Sequence, residues 1–370
     1  MEDFEHGVVL ALREKDRRPV CEWAGQHVKP PGSARATRFD VAATPWLREP
    51  IEFSADNSVR EQVLVMPTGA GKTTVFDAIV PRAIAEDPGS VLIGMQSDPD
   101  ADEYFDERLE PILLGVESVA QIVAGLPRNK RRKGEWIMPH MSLFVCGSNK
   151  ANAQRKSVRY VLLDEAWIIR HGLIEEFRAR HHDRWNARVI IVSQGGNTHL
   201  DVAQERVQTE LFASWERTDR REWSFECPEC RSVQPFKLAF LRYETARRED
   251  GSIDDAAVAQ STRYACASCN TEFADTPMNR RMLADSGRYV VTNPSHLARH
   301  HGWHCNALSL YYVQWSTLAM QWIQANDAWG RADREPRKIF IQKRLAEFWK
   351  DPEEEASVLL TGSGYSKADF

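Results

Sequence analysis

Short apolar runs alternate with segments of helical periodicity along the first 220 residues of the chain. Runs rich in Val, Leu and Ile predict buried strands at residues 62–66, 90–95, 135–138, 142–146, 159–163 and 188–193. Helical spacing of apolar residues predicts helices over 73–85 and 202–215, and Asp98 is expected to cap a third helix that ends near residue 109. This alternation predicts an α/β fold in which helices cover both faces of a mostly parallel sheet.

The composition is that of a globular protein larger than one ordinary core. The chain has 370 residues, of which 42% are hydrophobic and 27% charged, and no apolar run approaches the ~20 residues of a membrane span. Its N-terminus is acidic, whereas a secretory signal would be basic. A net charge of −5 argues against a uniformly basic coat for nucleic acid but leaves a local basic channel open. We expect an intracellular protein without a membrane segment.

The stretch from Gln62 to Thr74 carries the strongest chemical signal, a strand followed by Pro-Thr-Gly-Ala-Gly-Lys-Thr-Thr. Such a glycine-rich loop directs backbone N–H groups at phosphate, Lys72 adds charge for the β- and γ-phosphates, and the Thr73 hydroxyl can bind Mg²⁺. Met66 stands where the usual pattern has glycine, so the match is to a looser form of the P-loop. A plain glycine-rich turn is the alternative, which the intact Gly-Lys-Thr disfavours. The predicted nucleotide-binding residues are Pro67, Thr68, Gly69, Ala70, Gly71, Lys72, Thr73 and Thr74.

A second signal is the carboxylate pair Asp164-Glu165 at the end of an apolar run, the Walker B arrangement. Asp164 is predicted to hold Mg²⁺ together with Thr73, and Glu165 to polarise the attacking water. Acidic pairs after apolar runs also occur by chance, but here a P-loop lies upstream. Lys72, Asp164 and Glu165 are therefore the predicted catalytic residues.

The strand at residues 188–193 runs into Ser193-Gln194-Gly-Gly. In motor ATPases a polar residue at the tip of the strand beside Walker B senses the γ-phosphate, and we predict this coupling role for Ser193 and Gln194. An ordinary strand-to-loop turn is the alternative.

Four of the seven cysteines form two Cys-x-x-Cys pairs, Cys227 with Cys230 and Cys266 with Cys269. Two such turns complete the tetrahedral site of a structural Zn²⁺, with no ligand position left open for catalysis. The 35 residues between the pairs exceed the ~15–20 of common ribbons, which predicts a loop insertion centred on residues 247–251. The histidines at 296, 300, 301 and 304 are interpreted as a polar surface leading into a strand, because no second ligand pair accompanies them.

A short cationic run lies in a predicted loop before the strand at residues 135–138. It is either a solvated segment or a contact for a nucleic-acid backbone, and the sequence leaves both open. The candidate DNA-contacting residues are Arg128, Lys130, Arg131, Arg132 and Lys133.

Taken together, these residues resemble the large terminase subunit of tailed bacteriophages, specifically the lambda-type or GpA family, over about residues 44–350. The likeness rests on Thr44-Pro-Trp-Leu-Arg-Glu, the P-loop, the Walker B pair, Asp201-Val-Ala-Gln-Glu-Arg, the two cysteine pairs and the segment that ends at Gly287. It implies an ATP- and Mg²⁺-dependent motor in the host cytoplasm that moves double-stranded DNA into a procapsid. It also implies a small terminase subunit and a portal protein as partners, and self-association as a ring on the portal.

The resemblance implies a P-loop NTPase of the ASCE or RecA-like type with a zinc-ribbon insertion and a C-terminal helical segment. We expect five parts: an N-terminal segment (1–60), the ATPase core (61–220), a zinc-ribbon-like module (221–290), an aromatic-rich segment packed on the core (291–350) and a linker or cut end (351–370).

Two departures from the family pattern carry expectations of their own. Residues 67–70 contain no arginine, so Arg155, Arg159 or a neighbouring subunit would supply the arginine finger. Full-length relatives continue into an RNase H-like nuclease, whereas this sequence ends at Phe370, and we expect no DNA cleavage by this chain. The alternatives are a superfamily-2 helicase, which needs a second RecA-like domain after residue 220, and a zinc-dependent DNA or portal adaptor without turnover.

Overall fold

The computed structural model describes residues 15–31, 38–153, 157–181, 184–294 and 298–351. The α-helices in these ranges are α1 (Val20–His27), α2 (Arg48–Phe53), α3 (Thr74–Ala85), α4 (Asp98–Tyr104), α5 (Glu110–Gly115), α6 (Glu117–Ala124), α7 (Lys150–Ala153), α8 (Leu173–Arg178), α9 (Glu210–Glu216), α10 (Asp255–Ser261), α11 (Pro277–Asp285), α12 (Trp315–Gly330) and α13 (Glu335–Phe340). Phe105–Leu109 and Ile341–Leu345 are π-helical turns that continue α4 and α13.

The strands are β1 (Glu61–Val65), β2 (Val91–Met95), β3 (Arg131–Arg132), β4 (Glu135–Ile137), β5 (Ser142–Gly147), β6 (Tyr160–Leu163), β7 (Arg188–Ser193), β8 (His199–Val202), β9 (Glu205–Gln208), β10 (Arg221–Glu226), β11 (Val233–Pro235), β12 (Leu241–Arg242), β13 (Arg263–Ala265), β14 (Glu272–Ala274), β15 (Arg288–Val291) and β16 (His300–His304). The predicted strands and the helix over 73–85 are present with small shifts of their ends.

The centre of the molecule is one mostly parallel sheet with the order β11-β10-β16-β1-β7-β6-β2-β5-β4-β3. The strands from β10 to β5 in this order run parallel, and the antiparallel pairs lie at its two ends. Alternate residues of β1 belong to different apolar clusters, with Leu64 in one and Val63 and Val65 in the other. Both faces of the sheet are therefore covered, which confirms the predicted α/β architecture.

The sheet brings the predicted site segments to one edge. Val65 is paired with Ser193, and Leu163 with Ile191, so β1, β6 and β7 end at nearly the same level. The chain after the carboxyl end of each of these strands forms the P-loop, the Asp164-Glu165 turn and the Ser193-Gln194 turn. Ligands of open α/β sheets bind at this edge.

The predicted helix over residues 202–215 is wrong in its first half. Residues His199–Val202 and Glu205–Gln208 form an antiparallel hairpin, and the helix begins only at Glu210. Ala203 and Gln204 both adopt positive φ, as a type I′ turn requires, and the Thr209 hydroxyl caps the helix by accepting the Phe212 N–H. The apolar spacing that suggested a helix therefore spans two different elements.

The expected cap of the third helix is also one residue off. The hydroxyl of Ser97, not the carboxylate of Asp98, accepts the N–H of Asp100 at the start of α4. Asp98 instead accepts hydrogen bonds from the backbone N–H of Gly147 and the side chain of Asn152. The helix then changes to π geometry at Phe105.

The sheet continues across the domain boundaries expected at residues 220 and 290. Strand β10 lies parallel to β16, and β16 lies parallel to β1 in register from Glu61 with His300 to Val65 with His304. The segment 291–350 therefore contributes a strand to the sheet in addition to packing on it. In the described part after residue 220 there is no second parallel sheet of RecA type, because the other sheet there has three antiparallel strands, β12-β13-β14. The helicase alternative lacks the domain it needs in this part of the chain.

Within the described residues, no helix combines the length and the apolar character needed to cross a membrane.

Candidate nucleotide and metal sites

The loop between β1 and α3 is shaped by two glycines. Gly69 and Gly71 have φ of 86° and 81°, a region that side chains other than glycine adopt only with strain. Met66 is buried, and its N–H donates to the Ser193 carbonyl at 2.9 Å. The loop has no left-handed residue at position 66, so the departure from the usual glycine there is accommodated.

Three hydrogen bonds from distant parts of the sequence fix the outside of this loop. The indole Nε1 of Trp46 donates to the Ala70 carbonyl at 2.9 Å, and the hydroxyl of Tyr312 donates to the Gly69 carbonyl at 2.7 Å. The N–H of Thr68 donates to the carbonyl of Lys343, in the π-helical turn, at 3.0 Å. Sequence reasoning missed these contacts. Only Trp46 had a local signal, because it lies in the segment Thr44–Glu49 that supports the family resemblance.

The structure brings the predicted catalytic residues together. Lys72 Nζ lies 3.7 Å from Glu165 Oε1, and the Thr73 hydroxyl donates to Asp164 Oδ2 at 3.0 Å. Burial raises the pKa of Asp164 to about 6, and the neighbouring Glu165 carboxylate adds to this effect. Thr73 and Asp164 thus offer an adjacent hydroxyl and carboxylate oxygen, the hard donors that Mg²⁺ prefers.

The two predicted coupling residues contact both halves of this site. Gln194 Oε1 accepts from the hydroxyl of Thr68 in the P-loop at 3.1 Å. The buried Ser193 hydroxyl accepts the backbone N–H of Trp167 at 3.0 Å, two residues after Glu165. The tip of β7 therefore joins the loop that precedes α3 to the turn that follows β6.

One of the two arginine candidates, Arg159, lies away from this edge of the sheet. Arg159 precedes β6, so a four-residue strand of about 13 Å separates it from Asp164. Its guanidinium binds Asp87 at 2.7 Å and Asn57 at 3.2 Å instead. Arg155 lies outside the described residues. Arg159 therefore does not reach the Walker B carboxylates of its own chain, and the source of an arginine finger stays a prediction.

Another arginine, which sequence reasoning missed, does reach the P-loop helix. Arg108, in the π-helical turn, donates to the Thr74 hydroxyl at 3.2 Å and to both carboxylate oxygens of Asp77. The Asp77 side chain is fully buried, whereas Arg108 is 37% exposed. Burial raises the pKa of Asp77, against the lowering effect of Arg108. This pair holds α3 against the segment that follows β2.

We expect Arg108→Met to lower the free energy of unfolding by about 3 kcal/mol, more than Asp77→Asn does, because it leaves a buried carboxylate without its partner. Without Arg108, the folded state holds the Asp77 proton more tightly than the unfolded state. The loss relative to the wild type should therefore grow as the pH rises above the wild-type pKa of Asp77, which burial raises. Denaturant unfolding at about pH 5 and about pH 8 measures this trend. An equal loss at both pH values would contradict it.

The cationic run lies at the far edge of the sheet. Strand β3 is six strand spacings of about 4.8 Å from β1, roughly 29 Å. Arg131 pairs with Glu110 at 2.9 Å, and Lys133 pairs with Asp106 at 2.7 Å. Part of the charge of the run is thus neutralised by its own chain, and DNA contact by the run stays a prediction.

The four paired cysteines converge on one point. Their Sγ atoms all lie within 4.8 Å of one another, with Cys227 and Cys269 3.8 Å apart and Cys230 and Cys266 3.7 Å apart. A tetrahedron with Zn–S bonds of about 2.3 Å has edges of about 3.8 Å, so the geometry fits a Cys₄ zinc site. Burial would raise the pKa of Cys266, but N–H donors, among them the Gln234 amide at 2.9 Å, lower it to about 5.

Each cysteine pair occupies the turn of an antiparallel hairpin. The first pair joins β10 to β11, and the second joins β13 to β14. The long connection between the pairs contains β12 and helix α10, so the predicted insertion is partly ordered as secondary structure. Because β10 also belongs to the main sheet, the metal-binding turns are attached directly to the sheet that carries the P-loop.

The histidine-rich segment is a strand inside the main sheet. His301 Nδ1 lies 2.7 Å from Asp219, and buried His304 contacts the Leu345 carbonyl at 2.9 Å. Among the described residues the four cysteines are the one cluster placed so that it could hold a metal ion, and His296 lies outside these residues. The expected polar surface is wrong for His304, because its partners allow a polar ring to be buried.

The chain is similar to known proteins in sequence and in structure. A family model described as phage terminase large subunit gpA, ATPase domain, matches residues 33–288. A solved structure of the HK97 bacteriophage large terminase is similar with a TM-score of 0.42 and 13% identity, over 55% of this chain and 40% of that one. The large terminase ATPase domain of Thermus phage P74-26 is similar with a TM-score of 0.40 and 12% identity, over 81% of this chain and 92% of that one. The chain thus spans less than half the length of the HK97 protein, and no curated protein matches it.

Proposed function

Because the chain belongs to the family of phage terminase large subunit gpA ATPase domains, we propose that it is the ATPase motor of a DNA-packaging machine. The observation that carries the proposal is the convergence of Lys72, Thr73, Asp164 and Glu165 at the carboxyl ends of β1 and β6. This set of groups can bind a phosphate chain and activate water beside it.

Each of these groups has a proposed role in hydrolysis. The P-loop N–H groups and Lys72 bind the phosphates, and Thr73 and Asp164 hold Mg²⁺. Mg²⁺, when bound, neutralises charge that develops on the phosphate oxygens. Glu165 orients the attacking water and takes its proton. Gln194, which touches Thr68, and Ser193 transmit the change at the phosphate site to the rest of the sheet.

The cysteine site is proposed to hold one structural Zn²⁺. Four thiolates fill a tetrahedral coordination shell, so the ion takes no part in hydrolysis. Its role is to join two hairpins in which β11, β13 and β14 have only three residues each.

The partners follow from the proposed motor function. They are double-stranded viral DNA, a small terminase subunit, a portal protein and further copies of this chain in a ring on the portal, all in the host cytoplasm. The candidate DNA contacts in the run from Arg128 to Lys133 belong to this proposal.

The test is phosphate release from ATP by the purified chain with Mg²⁺, with and without linear duplex DNA. We expect hydrolysis that DNA accelerates, and a loss of about 100-fold or more in Lys72→Ala, because a positioned charge on the phosphates is removed. The exposed Lys350→Ala is the matched control. No phosphate release by the wild-type chain under either condition would overturn the motor and favour the adaptor. Strand separation would favour the helicase.

The same assay tests the cationic run. Replacing Arg128 and Arg132 by glutamine should leave basal hydrolysis unchanged and weaken DNA stimulation. The slope of log affinity against log salt should become shallower by about 0.9 for each phosphate that the protein no longer neutralises. If the salt dependence of DNA affinity is unchanged, the cationic run is a solvated segment that does not contact DNA.

A further inference from the structure

Trp167 contacts both the proposed catalytic carboxylate and the proposed coupling strand. Its indole Nε1 donates to Glu165 Oε2 at 2.8 Å, while its backbone N–H donates to the Ser193 hydroxyl at 3.0 Å. One residue therefore binds the Walker B turn through its side chain and the tip of β7 through its main chain.

The Glu165 backbone needs such support. Its φ and ψ are both 46°, in the left-handed region, which costs a residue with a side chain on the order of 1–2 kcal/mol. The turn continues into a single 3₁₀ turn, Ala166–Ile168, in which the Ile168 N–H donates to the Glu165 carbonyl at 3.1 Å. The strained turn aims the side chain of Glu165 back towards Lys72, 3.7 Å away.

The Glu165 carboxylate has one fixed partner on each oxygen. Lys72 lies by Oε1 and the Trp167 indole binds Oε2. A carboxylate has about four acceptor positions, so both contacts leave room for a water molecule. Since the Glu165 side chain is 39% exposed, solvent alone would not hold it in one orientation. The indole N–H supplies that constraint.

The side chain of Trp167, although 37% exposed, has neighbours on two sides. A Cβ added to Gly196 would lie 3.4 Å from the Trp167 Cβ, so the loop after β7 packs closely on it. Trp167 also lines a cavity of about 270 Å³ together with Lys338, Ile339 and Lys343 from the C-terminal helices. The loop after β7 and the C-terminal helices therefore both lie beside the residue that binds Glu165.

We infer that Trp167 is a positioning residue that holds the Glu165 carboxylate for proton abstraction and ties its orientation to the tip of β7. The inference rests on the proposed ATPase function. The role is assigned from the hydrogen bonds that Trp167 itself makes. In this role Trp167 contacts neither the phosphates nor the metal ion.

The test compares Trp167→Phe, which keeps an aromatic ring but removes the N–H, with the control Trp185→Phe, whose parent side chain is 72% exposed. We expect kcat for ATP hydrolysis to fall about 10- to 100-fold in Trp167→Phe, as for the loss of one hydrogen bond to a charged group. The KM, the melting temperature and the binding of a fluorescent ATP analogue should stay close to wild type. Trp185→Phe should match the wild-type chain throughout.

A double variant tests the tie to β7. If Trp167 links Glu165 to Ser193, the two side chains act together. The kcat loss of the double variant should then be smaller than the product of the losses in Trp167→Phe and Ser193→Ala. If the wild-type protein is active and Trp167→Phe has an unchanged kcat, the inference is wrong and the proposed function stands. The same holds if the kcat loss of the double variant equals the product of the two single losses. A loss confined to the melting temperature or to nucleotide binding would reduce Trp167 to a structural residue. An inactive wild-type chain would overturn both the inference and the proposed function.

Discussion

Glu165→Gln is expected to lower kcat for ATP hydrolysis by about 100- to 10,000-fold, the range that a positioned general base contributes. Glutamine has nearly the same shape but cannot take a proton from water. It can still accept the hydrogen bond from Trp167, so the turn that carries it should keep its conformation. Binding of Mg-ATP should persist, because Lys72, Thr73 and Asp164 are unchanged. Phosphate release and analogue binding measure the two effects separately.

Glu335→Gln is the matched control for this substitution. Glu335 is exposed and lines the cavity beside Trp167, but it lies on α13, away from the Walker B turn. Its change should leave kcat within about twofold of wild type, as expected for a surface position. If Glu165→Gln kept a third of the wild-type kcat, the general-base role would be wrong and another group would have to activate the water.

Cys266→Ser is expected to have the largest effect on stability. The wild-type chain should contain one zinc ion, and the variant should contain none. Structural Cys-ligated zinc contributes on the order of 10 kcal/mol to folding of small domains, and most of that would be lost from the module. Because β10 belongs to the module and to the main sheet, the loss should also reduce ATP binding. Metal analysis and thermal unfolding measure these changes.

Cys227→Ser should reproduce the result, since its Sγ belongs to the same cluster. Cys146→Ala is the control, because that half-buried thiol lies on β5 and outside the cluster. A folded wild-type protein without bound metal would refute the zinc site. Equal zinc content in Cys266→Ser and wild type would refute the ligand set.

The parts of the site that the sequence predicted are those with a short pattern and a fixed chemical purpose. Gly69 and Gly71 are required by the loop itself, and Cys227 with Cys230 occupy one tight turn, so their roles are visible within a few residues. Asp164 and Glu165 could be interpreted as a Walker B pair because a P-loop lies upstream of them. Such patterns predicted the fold class and the main groups of the site.

The parts that the sequence did not predict depend on long-range placement. Arg108, Tyr312 and Lys343 contact the P-loop region only because the sheet and the helices fold together. No pattern in the sequence around these three residues predicts these contacts. Helical spacing around Val202 was misleading for a different reason, because two positive φ values at Ala203 and Gln204 turned that segment into a hairpin.

The position of β16 has a consequence for folding during synthesis. The strand that flanks β1 on one side, β16, is made about 235 residues after it. At 5–20 residues per second, that side of β1 stays unpaired for roughly 12 to 50 s on the ribosome. An unpaired, apolar strand edge invites wrong pairing with other chains, so slow cotranslational completion exposes this protein to aggregation. The P-loop strand, which is formed early, acquires its final neighbour last.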